Sequence, residues 1–318
     1  MLTIEKIHEA RERISSYIVE TPMIRLQALD EILGCEVYVK AENMQITGAF
    51  KLRGALNRAL SLTEEERANG LVCASSGNHG KGVAYAAKLL GTKATVIMPL
   101  TASETKLKAL YKLGAEVVQC DVTERFAVAE KICQEQGAVM VPPFNNEYVM
   151  AGQGTAGLEI AEQCPEVDTV VIPVSGGGLL SGVSVAVKET LPNVKIYGAE
   201  PAALPRYSAS LAAGEITKVE FHPTLADALM AQMPGDQCFP TVQKYVDGVV
   251  NVSDEYMMKG MKLLLTEGKI LAEPSSCIGI GAVLQGKLKV KKGEKVCFLV
   301  SGGGVGLNQI AALEDVVL

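Results

Sequence analysis

The sequence predicts an α/β protein in which parallel-type twisted sheets are flanked by helices. Short apolar segments that are typical of strands alternate with longer segments whose apolar residues recur at helical spacing. Hydrophobic residues make up 48% of the 318 residues but aromatic residues only 5%. The core must therefore consist of Val, Ile, Leu and Ala, as in sheets that are covered on both faces. A chain of this length is expected to form about two domains.

The first predicted element is an amphipathic helix over residues 2–17. Ile4, Ile7 and Ile14 recur there at helical spacing and lie on one face. Thr21-Pro22 follows, and the residue before a proline disfavours helical backbone, so the helix must end before this pair.

The strands and crossover helices come next. A strand is predicted at 36–40, and further strands are predicted at 70–74, 93–98, 116–120, 138–141, 168–174, 194–199, 248–252 and 295–300. The helices between them include 79–90, 103–113 and 124–136. Residues 202–246 are rich in Pro and Ala, which indicates loops and short helices. In such an alternation the active-site residues are expected where strands end and helices begin.

Charge and composition exclude several classes of partner. The net charge of −6, without a Lys/Arg cluster, argues against a nucleic-acid surface. No signal-like segment opens the chain, and no apolar run approaches the ~18 residues of a membrane span. The eight cysteines form no CxxC pair, which favours buried reduced thiols. We therefore expect a soluble, cytoplasmic protein with no nucleic-acid or membrane partner.

A lysine follows the strand at 36–40. Lys51 stands after the small residues of Gly48-Ala49 and begins a helical pattern. A lysine held among apolar groups loses its proton readily and can form a Schiff base with an aldehyde. The alternative is an ordinary solvated lysine on a helix.

A second junction is Ser75-Ser76-Gly77-Asn78-His79, where the predicted strand at 70–74 ends and a predicted helix begins. Successive backbone N–H groups at such a place form a concave anion site that suits a carboxylate. The alternative is a Ser/Asn cap of the helix.

Two more junctions carry three glycines each. Gly176-Gly177-Gly178 ends an apolar strand and precedes an apolar helix, so that backbone N–H groups can close around a phosphate. A tight turn is the alternative, although one glycine would suffice for it. At the later junction, Ser301 offers one neutral hydrogen bond to a ligand atom or simply caps the chain.

One segment also imitates a dinucleotide-binding fingerprint. Gly176 and Gly178 are followed by Ser181, and an acid, Glu200, stands about twenty residues further on. A nicotinamide-dependent oxidoreductase is therefore a rival interpretation. Ser181 replaces the third glycine, however, and several strand–helix units precede the motif.

Together the four junctions resemble, in their order, the pyridoxal-phosphate (PLP) enzymes of the tryptophan synthase β-like fold, also called fold type II. Within them the chain is most similar to the serine/threonine dehydratases (threonine ammonia-lyases) and the serine racemases. The resemblance runs from Thr21 to Leu307 and includes Ala151-Gly152-Gln153-Gly154-Thr155 and Glu273-Pro274. It implies a large cofactor-binding domain of residues 1–47 and 147–318 and a small substrate-binding domain of residues 48–146.

The resemblance implies that Lys51 binds PLP as a Schiff base and that Lys51 and Ser76 are the catalytic candidates. The implied cofactor-binding residues are Lys51, Phe50, Asn78, Gly176, Gly177, Gly178, Leu179 and Ser301. The implied substrate-binding residues are Ser75, Ser76, Gly77, Asn78 and His79. In the racemases a serine at the position of Ser76 donates a proton to the opposite face of the ring; the alternative role of Ser76 is a carboxylate contact.

The implied reaction is a β-elimination of a 3-hydroxy amino acid such as L-threonine or L-serine, which yields a 2-oxo acid and ammonia. Lys51 would remove the Cα proton as general base. A serine racemase or a PLP enzyme of β-replacement stays an alternative, as do the nicotinamide oxidoreductase and a non-catalytic binding protein. The resemblance also implies a homodimer or homotetramer that takes a small amino acid as substrate.

Some positions depart from the family pattern. Ala49 and Ala228 stand where many relatives have Ser and Gly, which leaves the preferred substrate open. The divalent-cation site of the family begins with an acid that matches Glu200, but Leu204-Pro205-Arg206 follows where a further acid is expected. A site for Mg²⁺ or Ca²⁺ is expected to be weakened by this missing carboxylate and added positive charge.

Overall fold

A computed structural model describes residues 1–75 and 77–318 of the chain. The strands are β1 (Met23–Arg25), β2 (Glu36–Ala41), β3 (Leu71–Ala74), β4 (Ala94–Pro99), β5 (Glu116–Cys120), β6 (Val139–Met140), β7 (Thr169–Pro173), β8 (Lys195–Pro201), β9 (Gly248–Val252) and β10 (Lys295–Val300). The helices are α1 (Ile4–Ile14), α2 (Asp30–Leu33), α3 (Lys51–Leu60), α4 (Glu64–Ala68), α5 (Asn78–Leu89), α6 (Glu104–Lys112), α7 (Arg125–Gln136), α8 (Glu147–Gln163), α9 (Gly178–Thr190), α10 (Arg206–Ala213), α11 (Phe239–Tyr245), α12 (Asp254–Thr266), α13 (Ile278–Leu284) and α14 (Leu307–Ala311). Short 3-10 helices lie at Ser15–Tyr17, Gln27–Leu29, Glu42–Met44 and Pro274–Cys277.

The larger sheet has six strands in the order β1-β2-β10-β7-β8-β9. Strand β1 runs antiparallel to β2, and all the other pairs are parallel. Because β10 lies between β2 and β7, the carboxyl ends of these three strands meet at one edge of the sheet. The expected active-site position in a parallel sheet is at this edge.

The smaller sheet has four strands in the order β5-β4-β3-β6, and all its pairs are parallel. It lies wholly within residues 71–140. This placement agrees with the small domain that we predict at 48–146, although the division into two domains stays a prediction. The α/β class and the position of each strand predicted from the sequence are confirmed to within two residues at each end.

Helix α8 packs closely against its neighbours and fixes the start of α3. A side chain at Gly152 would place its Cβ 2.5 Å from the carbonyl oxygen of Arg53, and one at Gly157 would place it 2.8 Å from Ala186 Cβ. Only glycine allows these backbones to approach so closely. The contact with α3 holds Lys51, the first residue of that helix, in a fixed place relative to the larger sheet.

The segment between β8 and β9 contains only the short helices α10 and α11, as its composition predicts. The predicted leading helix ends at Ile14 and continues as a 3-10 turn at Ser15–Tyr17. In residues 1–75 and 77–318, no helix is long and apolar enough to cross a membrane.

Candidate active site

The turn that carries Lys51 is attached to the end of β10. Ala49 and Gly302 form an isolated antiparallel bridge, and the backbone N–H of Phe50 donates to the carbonyl oxygen of Ser301 at 3.1 Å. The backbone N–H of Gly303 donates to Gly48 at 2.9 Å. The predicted lysine and the predicted serine are thus brought together by backbone hydrogen bonds.

Lys51 is partly buried, and in the part of the chain that the structure describes its amine has a single hydrogen-bond acceptor. Nζ donates to the carbonyl oxygen of Pro143 at 2.5 Å and lies 5.0 Å from the centroid of the Phe50 ring. Burial lowers the pKa of Lys51 from 10.5 to about 8, because the charged amine is poorly solvated there. A substantial fraction of the amine is therefore neutral near physiological pH and able to act as a nucleophile or base.

The first glycine loop leaves no room for side chains. Gly177 has φ +104°, and a Cβ there would lie 1.8 Å from the Tyr207 hydroxyl oxygen. At Gly176 a Cβ would lie 2.3 Å from the Phe144 ring, and at Gly178 it would lie 2.5 Å from Gln153 Oε1. Residues 176–178 thus form a cradle of backbone atoms, and the side chains of Tyr207 and Phe144 pack against it.

This cradle leads into the first turn of α9, whose N–H groups have no acceptor within the helix. Such groups, with the helix dipole behind them, bind a phosphate. The loop therefore fits the phosphate of PLP. Gln153 connects it to the lysine, because its amide nitrogen donates at 3.2 Å to the same Pro143 carbonyl that accepts from Lys51.

Ser301 is buried at the end of β10, and its hydroxyl oxygen lies 2.9 Å from that of Ser276. Ser276 also donates to Gly302 O and accepts from Gly302 N, at 2.8 Å each. The hydroxyl that could face a ligand is thus supported by a neutral pair of serines. Such a pair brings no negative charge to hold a proton on a ring nitrogen.

Asn78 begins α5, and its amide nitrogen donates to Glu273 Oε1 at 2.8 Å. The N–H of Gly304 donates to the other carboxylate oxygen at 3.0 Å. Glu273 is buried, and burial raises its pKa. No role is predicted for Glu273 from the sequence, although it is a lone acid in the apolar stretch 270–274. Asn78 keeps one amide hydrogen for a ligand.

His79 is buried against the end of β6, and its Nε2 lies 2.8 Å from the carbonyl oxygen of Val141. A carbonyl only accepts, so Nε2 carries the hydrogen. Burial lowers the pKa of His79 to about 3, with a smaller contribution from the charge of Lys51. The ring is therefore neutral and adds no positive charge for an anion, whereas the N–H groups of the first turn of α5 have no acceptor within the helix and can serve one.

The remaining substrate candidates lie at the end of β3. Ser75 Oγ accepts from the N–H of Gly77 at 3.4 Å. Ser76, the second catalytic candidate, lies outside the described residues.

Glu200 does not fit a metal ligand. Its carboxylate oxygens accept from the N–H groups of Tyr207 and Ser208 at 2.9 and 2.8 Å, and the guanidinium of Arg206 lies beside them. A neighbouring positive charge repels a cation. Among the described residues, no three His, Cys, Asp or Glu side chains are grouped to hold a metal ion. Glu200 is also fully buried, which does not suit a contact with a ribose hydroxyl.

Residues 14–302 match the family described as pyridoxal-phosphate dependent enzyme. The chain belongs to this family. It is 45% identical over 312 residues to an L-threonine ammonia-lyase of Thermotoga maritima, which covers 98% of this chain and 77% of that protein. It is 40% identical over 317 residues to a serine racemase of Dictyostelium discoideum, with 98% of each covered. The solved structure of maize serine racemase superposes with a TM-score of 0.93 at 37% identity, covering 98% of this chain and 96% of that one.

These similarities confirm the predicted family, the type II fold and PLP as the cofactor. The chain is a PLP-dependent enzyme, and the nicotinamide interpretation is set aside.

Proposed function

We propose that this enzyme is an ammonia-lyase that dehydrates and deaminates a 3-hydroxy amino acid such as L-threonine or L-serine. The products are a 2-oxo acid and ammonia. One observation carries the proposal: a partly buried lysine with a pKa of about 8 is joined through Pro143 to a glycine cradle that fits a phosphate. The identity of 45% with an L-threonine ammonia-lyase supports this choice of reaction.

Lys51 attaches the cofactor and later moves the substrate proton. When bound, PLP withdraws electrons from the Cα atom of its amino-acid substrate and so makes the Cα proton acidic. With a pKa of about 8, free Lys51 is sufficiently neutral to accept that proton at Nζ. Pro143 O holds Nζ at the site, because it is the only acceptor recorded for this amine among the described residues.

The cofactor is held from several sides. We assign the phosphate to the N–H groups of the glycine loop and the first turn of α9, the phenolic oxygen to the remaining amide hydrogen of Asn78, and one ring face to Phe50. Ser301 faces the ring nitrogen. These cofactor-binding residues are Phe50, Lys51, Asn78, Gly176, Gly177, Gly178, Leu179 and Ser301.

Ser301 sets the type of reaction. A neutral hydroxyl opposite the ring nitrogen makes PLP a milder electron sink than a carboxylate would. A neutral partner at that atom would favour loss of the β-hydroxyl over reactions that need a protonated ring nitrogen. The pair of Ser301 and Ser276 hydroxyls supports this assignment, since neither carries charge.

The substrate carboxylate binds the turn between β3 and α5 in this proposal. The N–H groups at the start of α5 offer donors without acceptors in the helix, as an anion requires. The substrate-binding residues are Ser75, Ser76, Gly77, Asn78 and His79. His79 takes part through its backbone, because its ring is neutral and faces Val141.

A serine racemase is the second candidate. The 40% identity with the Dictyostelium enzyme and the TM-score of 0.93 with the maize enzyme favour it. Racemisation needs a second proton donor on the opposite ring face, and Ser76 is our candidate for it. Chiral chromatography of serine recovered after incubation separates the two: a D-serine yield that matches or exceeds pyruvate identifies a racemase.

The direct test is release of 2-oxobutyrate from L-threonine or pyruvate from L-serine by the holoenzyme. Lys51→Ala is expected to lower this turnover by at least about a thousandfold, because both the attachment point and the base are lost. Lys88→Ala, at an exposed lysine of α5, is the control and should keep normal turnover. A folded Lys51→Ala protein with full turnover contradicts the proposal.

We also propose that the enzyme works in the cytoplasm as a homodimer or homotetramer. Its eight cysteines are free, which suits a reducing compartment. Light scattering coupled to gel filtration measures the assembly, and a monomeric mass for the active holoenzyme contradicts it.

A further inference from the structure

Arg206 lies fully buried beneath the glycine loop, at the start of α10. Its guanidinium donates to the carbonyl oxygen of Val174 at 3.0 Å and to that of Leu229 at 2.9 Å. Its Nε lies 4.0 Å from Glu200 Oε2. One positive charge is thus surrounded by two carbonyls and a carboxylate that come from three separate segments.

Oxygen atoms of this kind are the ligands that a hard divalent cation takes in proteins. Here the guanidinium donates to the two carbonyls and lies 4.0 Å from the carboxylate. Burial lowers its pKa to about 10, so the charge is still present at neutral pH. Burial raises the pKa of Glu200, and the two backbone N–H donors and the charge of Arg206 oppose that rise. In this cluster, the positive charge of Arg206 thus lies among two backbone carbonyls and the Glu200 carboxylate, at the place where a cation would be held.

The cluster is coupled to the cofactor site through short connections. Val174 stands two residues before the glycine loop, and Tyr207, next to Arg206, donates to the carbonyl oxygen of Gly176 at 3.0 Å. Leu229 belongs to the segment that contains Ala231, whose N–H donates to Ser175 at 3.2 Å. A cation at this place therefore fixes the position of the loop.

We propose that Arg206 is a built-in cation that replaces a divalent metal ion beneath the glycine loop, so that the enzyme neither binds nor needs Mg²⁺ or Ca²⁺. The inference relies on the proposed function only for the role of the loop. Its test is thermal unfolding, which needs no turnover, so its failure is distinct from failure of the proposed reaction.

The first measurement uses the unmodified holoenzyme. Its midpoint of thermal unfolding should be the same in EDTA, in millimolar MgCl₂ and in millimolar CaCl₂, and elemental analysis should find no stoichiometric divalent cation. A rise of several degrees with either cation, or a fall in EDTA, overturns the proposal.

The second measurement uses Arg206→Asp, which offers a carboxylate beside Glu200 and the two carbonyls. Its midpoint in EDTA should fall by roughly 5 °C or more, because buried acids then lack a positive partner. Ca²⁺ or Mg²⁺ should restore part of that loss. Arg206→Asn, of the same size but uncharged, is the matched control and should respond markedly less.

Arg206→Lys keeps the charge, so its midpoint of thermal unfolding should not change with either cation. A folded Arg206→Asp protein that ignores both cations overturns the proposal, and so does an Arg206→Lys protein stabilised by them. If Arg206→Asp is recovered only in buffer that contains a divalent cation, that dependence supports the proposal.

Discussion

The amine of Lys51 has a lowered pKa because its side chain is buried and has one neutral acceptor, with no carboxylate recorded beside it among the described residues. A nearby acid would raise this pKa again and keep the amine charged. The same burial keeps His79 neutral, so no second positive charge is added beside the lysine. The site is thus built to contain a base and not an ion pair.

The apoprotein should therefore show a lysine that titrates unusually low. Acylation of Lys51 by a small anhydride, followed by peptide mass spectrometry, should rise with pH around a midpoint of about 8 instead of 10.5. The folded state loses this proton before the unfolded state does. Lys51 hence makes the free energy of unfolding increase with pH between about 8 and 10.5. A midpoint near the ordinary lysine value contradicts this reading.

Glu273 should act as a positioning residue for Asn78. Glu273→Ala removes the acceptor of the amide, so we expect turnover to fall by about 10 to 100-fold, in the range of orienting partners elsewhere. The absorbance band of the bound cofactor should also shift, since Asn78 then orients differently. Glu267→Ala, at an exposed acid nearby in the chain, is the control and should change neither. An unchanged band and rate in Glu273→Ala contradict the role.

At the scale of elements, the loop between β7 and α9 requires glycine for two separate reasons. Gly177 has a left-handed backbone, and a Cβ there would overlap the Tyr207 hydroxyl oxygen at 1.8 Å. Gly177→Ala should therefore weaken PLP affinity by about tenfold or more, equivalent to about 1.4 kcal/mol, as measured by fluorescence titration of the apoprotein.

Gly286→Ala is the matched control for this change. Gly286 also has positive φ, at +71°, but no atom lies within 4 Å of a Cβ there. The Gly286→Ala substitution should lower the free energy of unfolding by about 1 kcal/mol through backbone strain and leave PLP affinity unchanged. If the two variants bind PLP equally, the cradle is not shaped by the close contact with Tyr207.

Local pattern was sufficient to predict most elements but not their long-range contacts. Strands β5, β9 and β10 match their predicted residues, because each is a short apolar run between turn signals. Strand β1 was not predicted: it has three residues and depends on pairing between Met23 and Lys40. Lys51 and the glycine loop could be predicted in the same way, because each follows a strand that is recognisable from its own residues.

Local sequence pattern could not predict the contacts of Glu273, Tyr207 and Arg206. Glu273 meets Asn78 across 195 positions, and Tyr207 meets Gly176 across 31. Such pairs follow from how two sheets and their loops are placed, which no local spacing records. Arg206 was visible in the sequence only as a charge where an acid was expected.

At the scale of the whole molecule, a buried ionic network connects the larger sheet to the helix that bears Lys51. Arg53 on α3 donates to Glu42 at 2.8 Å and to Glu159 on α8 at 2.6 Å. Lys40 on β2 donates to Glu159 at 2.5 Å. The network therefore ties α3, α8 and β2 together, and its central residue Arg53 lies two residues after Lys51.

Removing the central charge should cost much stability. Arg53→Met leaves two buried carboxylates without their main partner, so the free energy of unfolding in urea should fall by about 3 to 5 kcal/mol. Arg11→Met breaks an exposed pair with Glu162 and should cost at most about 1 kcal/mol. Equal losses for the two variants would show that the network contributes no more than a surface ion pair.

We expect PLP to be attached to Lys51. Reduction of the holoenzyme with borohydride fixes a Schiff base as a stable amine, and peptide mass spectrometry then locates the added pyridoxyl group. We predict loss of the visible absorbance and one modified peptide, with the group on Lys51. A pyridoxyl group on another lysine, or a holoenzyme whose absorbance borohydride leaves intact, would contradict the account.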